Sequence, residues 1–244
     1  MNSSKNKFWI IEALKNGNLS LEGQFIYGSN YTLLGKITHN GISFNVVYKP
    51  TAGERPLFDF QQGSLSKREV AAYVVNQSLA WDLIPPTIYR PDNLPMGPGS
   101  IQQFIEHNPE HHFFSFSEAE IQKLRPVALF DILINNADRK GGHILFDEDN
   151  HIWIIDHGIC FHSQPKLRTV IWNFIGEKIP EDLMLDVSRL IMSLESKTDT
   201  FHQLSNLLST NEISSIISRS KNIIDQKTFP PPDQNNRPYP WPPI

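Results

Sequence analysis

Cysteine is almost missing from this chain. A single residue, Cys160, among 244 excludes an internal disulfide and suits a reducing compartment, so a cytoplasmic location is expected. A basic excess is missing too: 22 Lys and Arg stand against 26 Asp and Glu, a net charge of −4. Nucleic-acid binders usually carry the opposite balance. No concentrated Lys/Arg block offers a dock for anionic lipid. No apolar run approaches the about 18–20 residues of a membrane-spanning helix. The polar start, Met1 to Lys7, and the short stretch Phe8–Leu14, broken by Glu12, do not make a typical signal peptide. Neither G-x-G-x-x-G nor a Walker A loop occurs. What remains is a chain long enough to bury a good core, as one domain or two small lobes.

Periodicity divides the chain into a strand-rich first half and a helical second half. Phe8–Lys15 reads as a short helix closed by Asn16-Gly17-Asn18. Strands follow from about Leu21 to Tyr48, with a polar turn at Gly28-Ser29-Asn30 and a hairpin signal at Asn40-Gly41. Thr51–Gly63 is a loop. A helix capped by Ser64 or Ser66 carries Val70, Ala71, Val74, Val75 and Leu79, and is expected to stop at Pro85-Pro86. Thr87–Arg90 and Ser100–Glu106 are strand-like. Val127–Ile134 is apolar nearly all round, predicting a buried helix with Pro126 in its first turn or at a kink. Pro180 to about Ile224 is mostly helical. Residues 230–244 hold seven prolines, with Tyr239 and Trp241 among them. Such a tail is extended, packed on the body or free to bind a partner.

The chemistry concentrates in two segments, Asn135-Asn136-Ala137-Asp138-Arg139-Lys140-Gly141-Gly142-His143 and Ile155-Asp156-His157-Gly158. Between them, Ile144–Phe146 and Ile152–Ile155 flank the turn Asp147-Glu148-Asp149-Asn150, which reads as a hairpin. It would bring Asp138 and Asp156 to one end. Two carboxylates converging beside a glycine-rich turn suit phosphoryl transfer, one orienting a hydroxyl and one holding a metal. Lys140 lies two positions after Asp138, in frame to steady a transferred phosphoryl group. His143 lies five after it, where an oxygen ligand would hold metal; a histidine there favours Mn²⁺ over Mg²⁺ or binds none. Lys49 ends an apolar strand and needs an anion if buried, from Glu69 or a nucleotide phosphate; alone, it also reads as an exposed edge lysine. Gly28-Ser29-Asn30 could cover phosphates with backbone N–H groups; alone, it is an ordinary hairpin turn.

These landmarks run from Gly28-Ser29-Asn30-Tyr31 through Val47-Tyr48-Lys49-Pro50, Arg68-Glu69-Val70-Ala71-Ala72-Tyr73 and Ile84-Pro85-Pro86-Thr87. They continue with Gly99-Ser100-Ile101-Gln102-Gln103-Phe104-Ile105-Glu106 and the two acidic segments. In this order they resemble the atypical kinases of the phosphatidylinositol 3-/4-kinase superfamily, above all its small bacterial members. More distant similarity extends to type II phosphatidylinositol 4-kinases, HipA-type kinases and secretory-pathway casein kinases.

The resemblance implies an α+β, two-lobed protein-kinase-like fold. Its N-lobe, residues 1–106, would be an antiparallel sheet plus one helix; its mainly helical C-lobe, 107–228, would carry the catalytic hairpin; a Pro-rich tail, 229–244, would follow. It further implies ATP in the cleft with Mg²⁺ or Mn²⁺. Gly28, Ser29 and Asn30 would lie over the phosphates. Lys49 matches the phosphate-binding lysine and Glu69 its partner, and Phe104, Ile105 and Glu106 fall at a hinge where backbone groups meet adenine. Asp138 matches the catalytic aspartate and Asp156 the metal-binding one. His143 stands where the superfamily often has Asn, and His157 replaces the usual Phe or Asn. The activity implied is transfer of the γ-phosphate to a hydroxyl of a protein, an inositol-type head group or another small alcohol. A nucleotide-binding pseudokinase and an AMP-transferring enzyme on the same fold are the alternatives. The cysteine-rich, palmitoylated insert of type II lipid kinases is absent, so no stable membrane association is expected, and no nucleic-acid partner.

Overall fold

The Asn40-Gly41 turn sits with both residues at positive φ, +51° and +77°, as a tight two-residue hairpin requires. It joins β2 (Leu33–His39) to β3 (Ile42–Pro50), antiparallel, with His39 opposite Ile42 and Leu33 opposite Tyr48. With β1 (Asn18–Gln24), β4 (Thr87–Arg90) and β5 (Gly99–Gln103) they form a five-stranded sheet ordered β1-β2-β3-β5-β4. The computed structural model describes residues 3–25 and 31–244; the turn expected at Gly28-Ser29-Asn30 lies outside the described residues.

Side chains alternate across a strand. On β3, Val46 and Tyr48 are buried in a small core with Ile37, Ile101 and the residues Ile10, Ala13 and Leu14 of α1 (Ser3–Asn16). The alternate residues, Val47 and Lys49, face the other way, toward a cleft. This register positions the lysine.

Helix α2 (Leu65–Leu79) ends well before the prolines expected to stop it. Ala80 takes the left-handed conformation at φ +57° and Asp82 follows at +55°. The Asn76 side chain accepts the Leu83 N–H at 3.0 Å, drawing the chain back across the helix end. The helix is buried on most of its surface, and Ala71, Ala72, Val74, Val75 and Leu79 join the larger core.

That core is built on α4 (Arg125–Ile134), with Pro126 in its first turn, and on α5 (Glu181–Glu195), α6 (Asp199–Ser205) and α7 (Thr210–Gln226). Reciprocal Ser–Glu caps begin α3 (Glu118–Gln122), through Ser117 and Glu120, and α7, through Ser209 and Glu212. The hairpin of β6 (Ile144–Phe146) and β7 (Ile152–Ile154) pairs Ile144 with Ile154. The tail packs on the body. Phe229 is buried against Phe174, Pro238 accepts the Thr169 N–H at 3.0 Å, and Pro243 accepts the Gly141 N–H at 2.8 Å. Among the described residues no helix is long and apolar enough to cross a membrane.

Candidate active site

Lys49 binds two carboxylates drawn from different elements. Its Nζ pairs with Glu69 Oε1 of α2 and lies 2.8 Å from Asp156 Oδ1, two residues past β7. The other Glu69 oxygen accepts the His157 N–H at 2.8 Å. Burial disfavours the ammonium, but Asp156 and Glu69 outweigh it and hold the Lys49 proton more tightly than usual. Burial likewise works against the Asp156 charge, yet Lys49 and His143 keep that carboxyl well below its ordinary range. Burial pushes Glu69 upward while Lys49 pulls it back. Asp156 is a non-glycine residue at φ +62°, a strained conformation. It leaves the carboxylate half-exposed to the cleft.

Asp138 is held from below. Asn135 caps α4 at φ +52°, with its side chain donating to the His162 and Gln164 carbonyls. Asn136 donates to Asp131 at 2.9 Å and accepts the Asp138 N–H at 3.0 Å. Burial pushes Asp138 up to about 6, with the Asp156 charge adding to it and Lys140 opposing. Lys140 Nζ lies 3.6 Å from Asp138 Oδ2.

Arg139, fully buried, ties these parts together. It forks onto Asp131, with contacts of 3.0 and 3.1 Å, and donates to the Ile155 carbonyl at 2.8 Å and to His157 Nε2 at 2.7 Å. A guanidinium only donates, so His157 accepts on Nε2 and carries its hydrogen on Nδ1. That nitrogen is buried, has no hydrogen-bond partner among the described residues and lies 3.9 Å from Glu69. Burial keeps His157 well below its ordinary range, hence neutral. One salt-bridged arginine thus spans the Asp138 loop, the Asp156 segment and, through His157, helix α2.

A cleft of about 420 Å³ brings the candidates together. Lys49, Glu69, Asp138, His143, Asp156, Phe104 and Ile105 all line it. Lys140 is not in the lining but reaches Asp138. Glu106 is exposed and outside it. The Phe104 N–H is committed to the Asn45 carbonyl at 3.0 Å, and the Ile105 carbonyl to His107 Nδ1 at 2.8 Å.

For a divalent metal, Asp156 offers a half-exposed carboxylate beside Asp138 in the same cleft. Among the described residues no group of three or more His, Cys, Asp and Glu forms a cage. One or two carboxylates completed by phosphate oxygens is the usual Mg²⁺ arrangement, so these residues fit. His143, the second ligand expected, lines the cleft beside Asp156. Its Nδ1 accepts the Lys140 N–H at 3.4 Å, and burial holds the ring at about 4, neutral near pH 7. The remaining hydrogen is then on Nε2, 3.3 Å from Asp156 Oδ2.

Sequence reasoning missed Asp131, Asn136 and Arg139 as the support of the loop, and Gln102 and Leu145 as cleft wall. One signal was available: an acid at 131 in an otherwise apolar helix must have a buried partner.

Residues 35–223 match the family model of phosphatidylinositol 3- and 4-kinase. The chain belongs to that family. Protein Rv2133c of Mycobacterium tuberculosis is 35% identical, with 94% of this chain and 93% of that protein aligned. Phosphatidylinositol 4-kinase gamma 4 of Arabidopsis thaliana is 24% identical over 77% of this chain and 40% of its own length. Among solved structures, the Golgi casein kinase with Mn/ADP bound superposes with a TM-score of 0.61 at 14% identity, covering 92% of this chain and 76% of that one. The Helicobacter pylori proinflammatory kinase CtkA gives 0.54 at 11% identity, covering 88% and 94%. The fold is therefore α+β and two-lobed, kinase-like, as the resemblance implied. Family and fold together support phosphotransfer as the class of chemistry.

Proposed function

We propose that this family member is an ATP-dependent kinase that transfers the γ-phosphate to a hydroxyl, with Mg²⁺ or Mn²⁺. The observation that carries the reading is Lys49 held between Glu69 and Asp156, 2.8 Å from the latter, with Asp138 lining the same cleft. A cation anchored by a buried glutamate suits the phosphates of a nucleotide. The Asp138 carboxylate accepts the hydrogen bond of the acceptor hydroxyl, and its pKa of about 6 leaves it ionised yet basic near neutral pH. Lys140, beside it, steadies the transferred phosphoryl group. Asp156 holds the metal, which when bound neutralises charge on the phosphate oxygens. The nucleotide lies between residues 1–106 and 107–228. The acceptor is a protein, an inositol-type head group or a small alcohol. The test is radiolabelled phosphate transfer from γ-labelled ATP across peptide, polyol and lipid panels with each metal. Transfer that disappears in Asp138→Asn while ATP binding persists is the expected result. No transfer to any acceptor with either metal refutes the reading.

A further inference from the structure

Two glutamines of strand β5, Gln102 and Gln103, line the cleft, and the strand register puts the Gln102 side chain on the cleft face. Gln102 lies opposite Val47 of β3 and opposite Thr87 of β4, and side chains paired across antiparallel strands share a face. Val47 and Gln102 both line the cleft. Gln102 is only 8% exposed, and the cleft is where it lies open.

The orientation of that amide is determined by its neighbours. Gln102 Nε2 donates to Thr87 Oγ1 at 2.8 Å. Thr87, 1% exposed, gives its own hydroxyl hydrogen to the Pro85 carbonyl at 2.7 Å. A hydroxyl has one hydrogen, so toward Gln102 the threonine can only accept. The relay runs one way, from amide to hydroxyl to carbonyl. A flipped amide would set oxygen against oxygen and lose a buried bond. Gln102 Oε1 is left without a donor among the described residues. Nearby, the Phe104 N–H and the Ile105 carbonyl already have partners, which leaves the hinge backbone fewer groups for reading a base.

We propose that Gln102 selects the nucleobase: Oε1, locked by Thr87, accepts a hydrogen bond from the 6-amino group of adenine and rejects purines with oxygen at that position. This rests on the phosphotransferase reading and names the base its site takes. Guanine and hypoxanthine present an acceptor to an acceptor, and purine itself presents no donor. Each leaves a buried oxygen unpaired, which corresponds to about 10- to 100-fold in affinity.

The experiment is calorimetric titration of the full chain with ATP, GTP, inosine triphosphate and purine riboside triphosphate, with Mg²⁺ and with Mn²⁺. The wild type is expected to bind ATP about 10- to 100-fold tighter than the other three. Gln102→Leu should lower ATP to the level of the purine analogue. Thr87→Val frees the amide to turn Nε2 into the cleft, so GTP affinity should rise and the ATP:GTP ratio fall. Thr87→Val that weakens all four nucleotides in proportion refutes the relay. Equal ATP and GTP binding by the wild type overturns the assignment of Gln102 and leaves the phosphotransferase reading standing. No binding of any of the four overturns both.

Discussion

Replacing Asp138 with Asn should stabilise the protein while abolishing its chemistry. The Asp138 carboxyl moves from an ordinary value of 3.8 to about 6 in the folded chain. Its side chain is 27% exposed, so the shift reflects a largely desolvated group. Below pH 3.8 both states are protonated and the residue contributes no pH dependence. Between the two values the folded state holds the proton that the unfolded state has lost, so stability falls as pH rises. Above about 6 the loss is complete and amounts to about 3 kcal/mol, from a shift of about two units. Asparagine has no proton to lose. At pH 8 the variant should therefore be more stable by about 3 kcal/mol, or about 6–12 °C in melting temperature for a chain of this size. At pH 4 the difference should shrink toward zero. Urea denaturation of both proteins from pH 4 to 8 measures it. A difference independent of pH, or an Asn variant less stable at pH 8, refutes the argument that burial perturbs Asp138.

Other perturbations follow from the same contacts. Lys49→Met leaves Glu69, 4% exposed, unpaired beside Asp156; it should cost about 3 kcal/mol in denaturation and remove the thermal shift produced by ATP. Adding Glu69→Gln should restore much of the stability but not the ATP shift. Arg139→Met strips buried Asp131 of its guanidinium and should cost about 3–5 kcal/mol. Lys221→Met, at an exposed pair with Glu195, should change stability by less than about 1 kcal/mol in the same assay. Deleting residues 237–244 takes the acceptors from Gly141, Thr169 and the Trp172 indole. It should cost about 3 kcal/mol, about 1 per bond, and leave ATP affinity measured by calorimetry unchanged.

Where local rules decide, the chain was readable. Asn40-Gly41 specifies its turn, Pro126 marks the first turn of α4, and the polar turn 147–150 separates β6 from β7. The charged landmarks converge because each has a chemical reason to be near the others: Lys49, Glu69 and Asp156 compensate one another. What was not readable depends on distant partners. The end of α2 is decided by Asn76 reaching Leu83, not by Pro85. Arg139 looks like one more charge beside Asp138 until Asp131, His157 and Ile155 surround it. His143 has its Nδ1 engaged by the Lys140 N–H, which no spacing rule supplies. The amide of Gln102 is oriented by a relay through Thr87 to Pro85.

The most direct measurement is a crystal structure of the full chain with a non-hydrolysable ATP analogue and Mn²⁺, with the metal located by its anomalous signal. Manganese is expected on the Asp156 carboxylate and phosphate oxygens, with the triphosphate against Lys49. A nucleotide bound away from Lys49, or manganese remote from Asp156, would contradict the account.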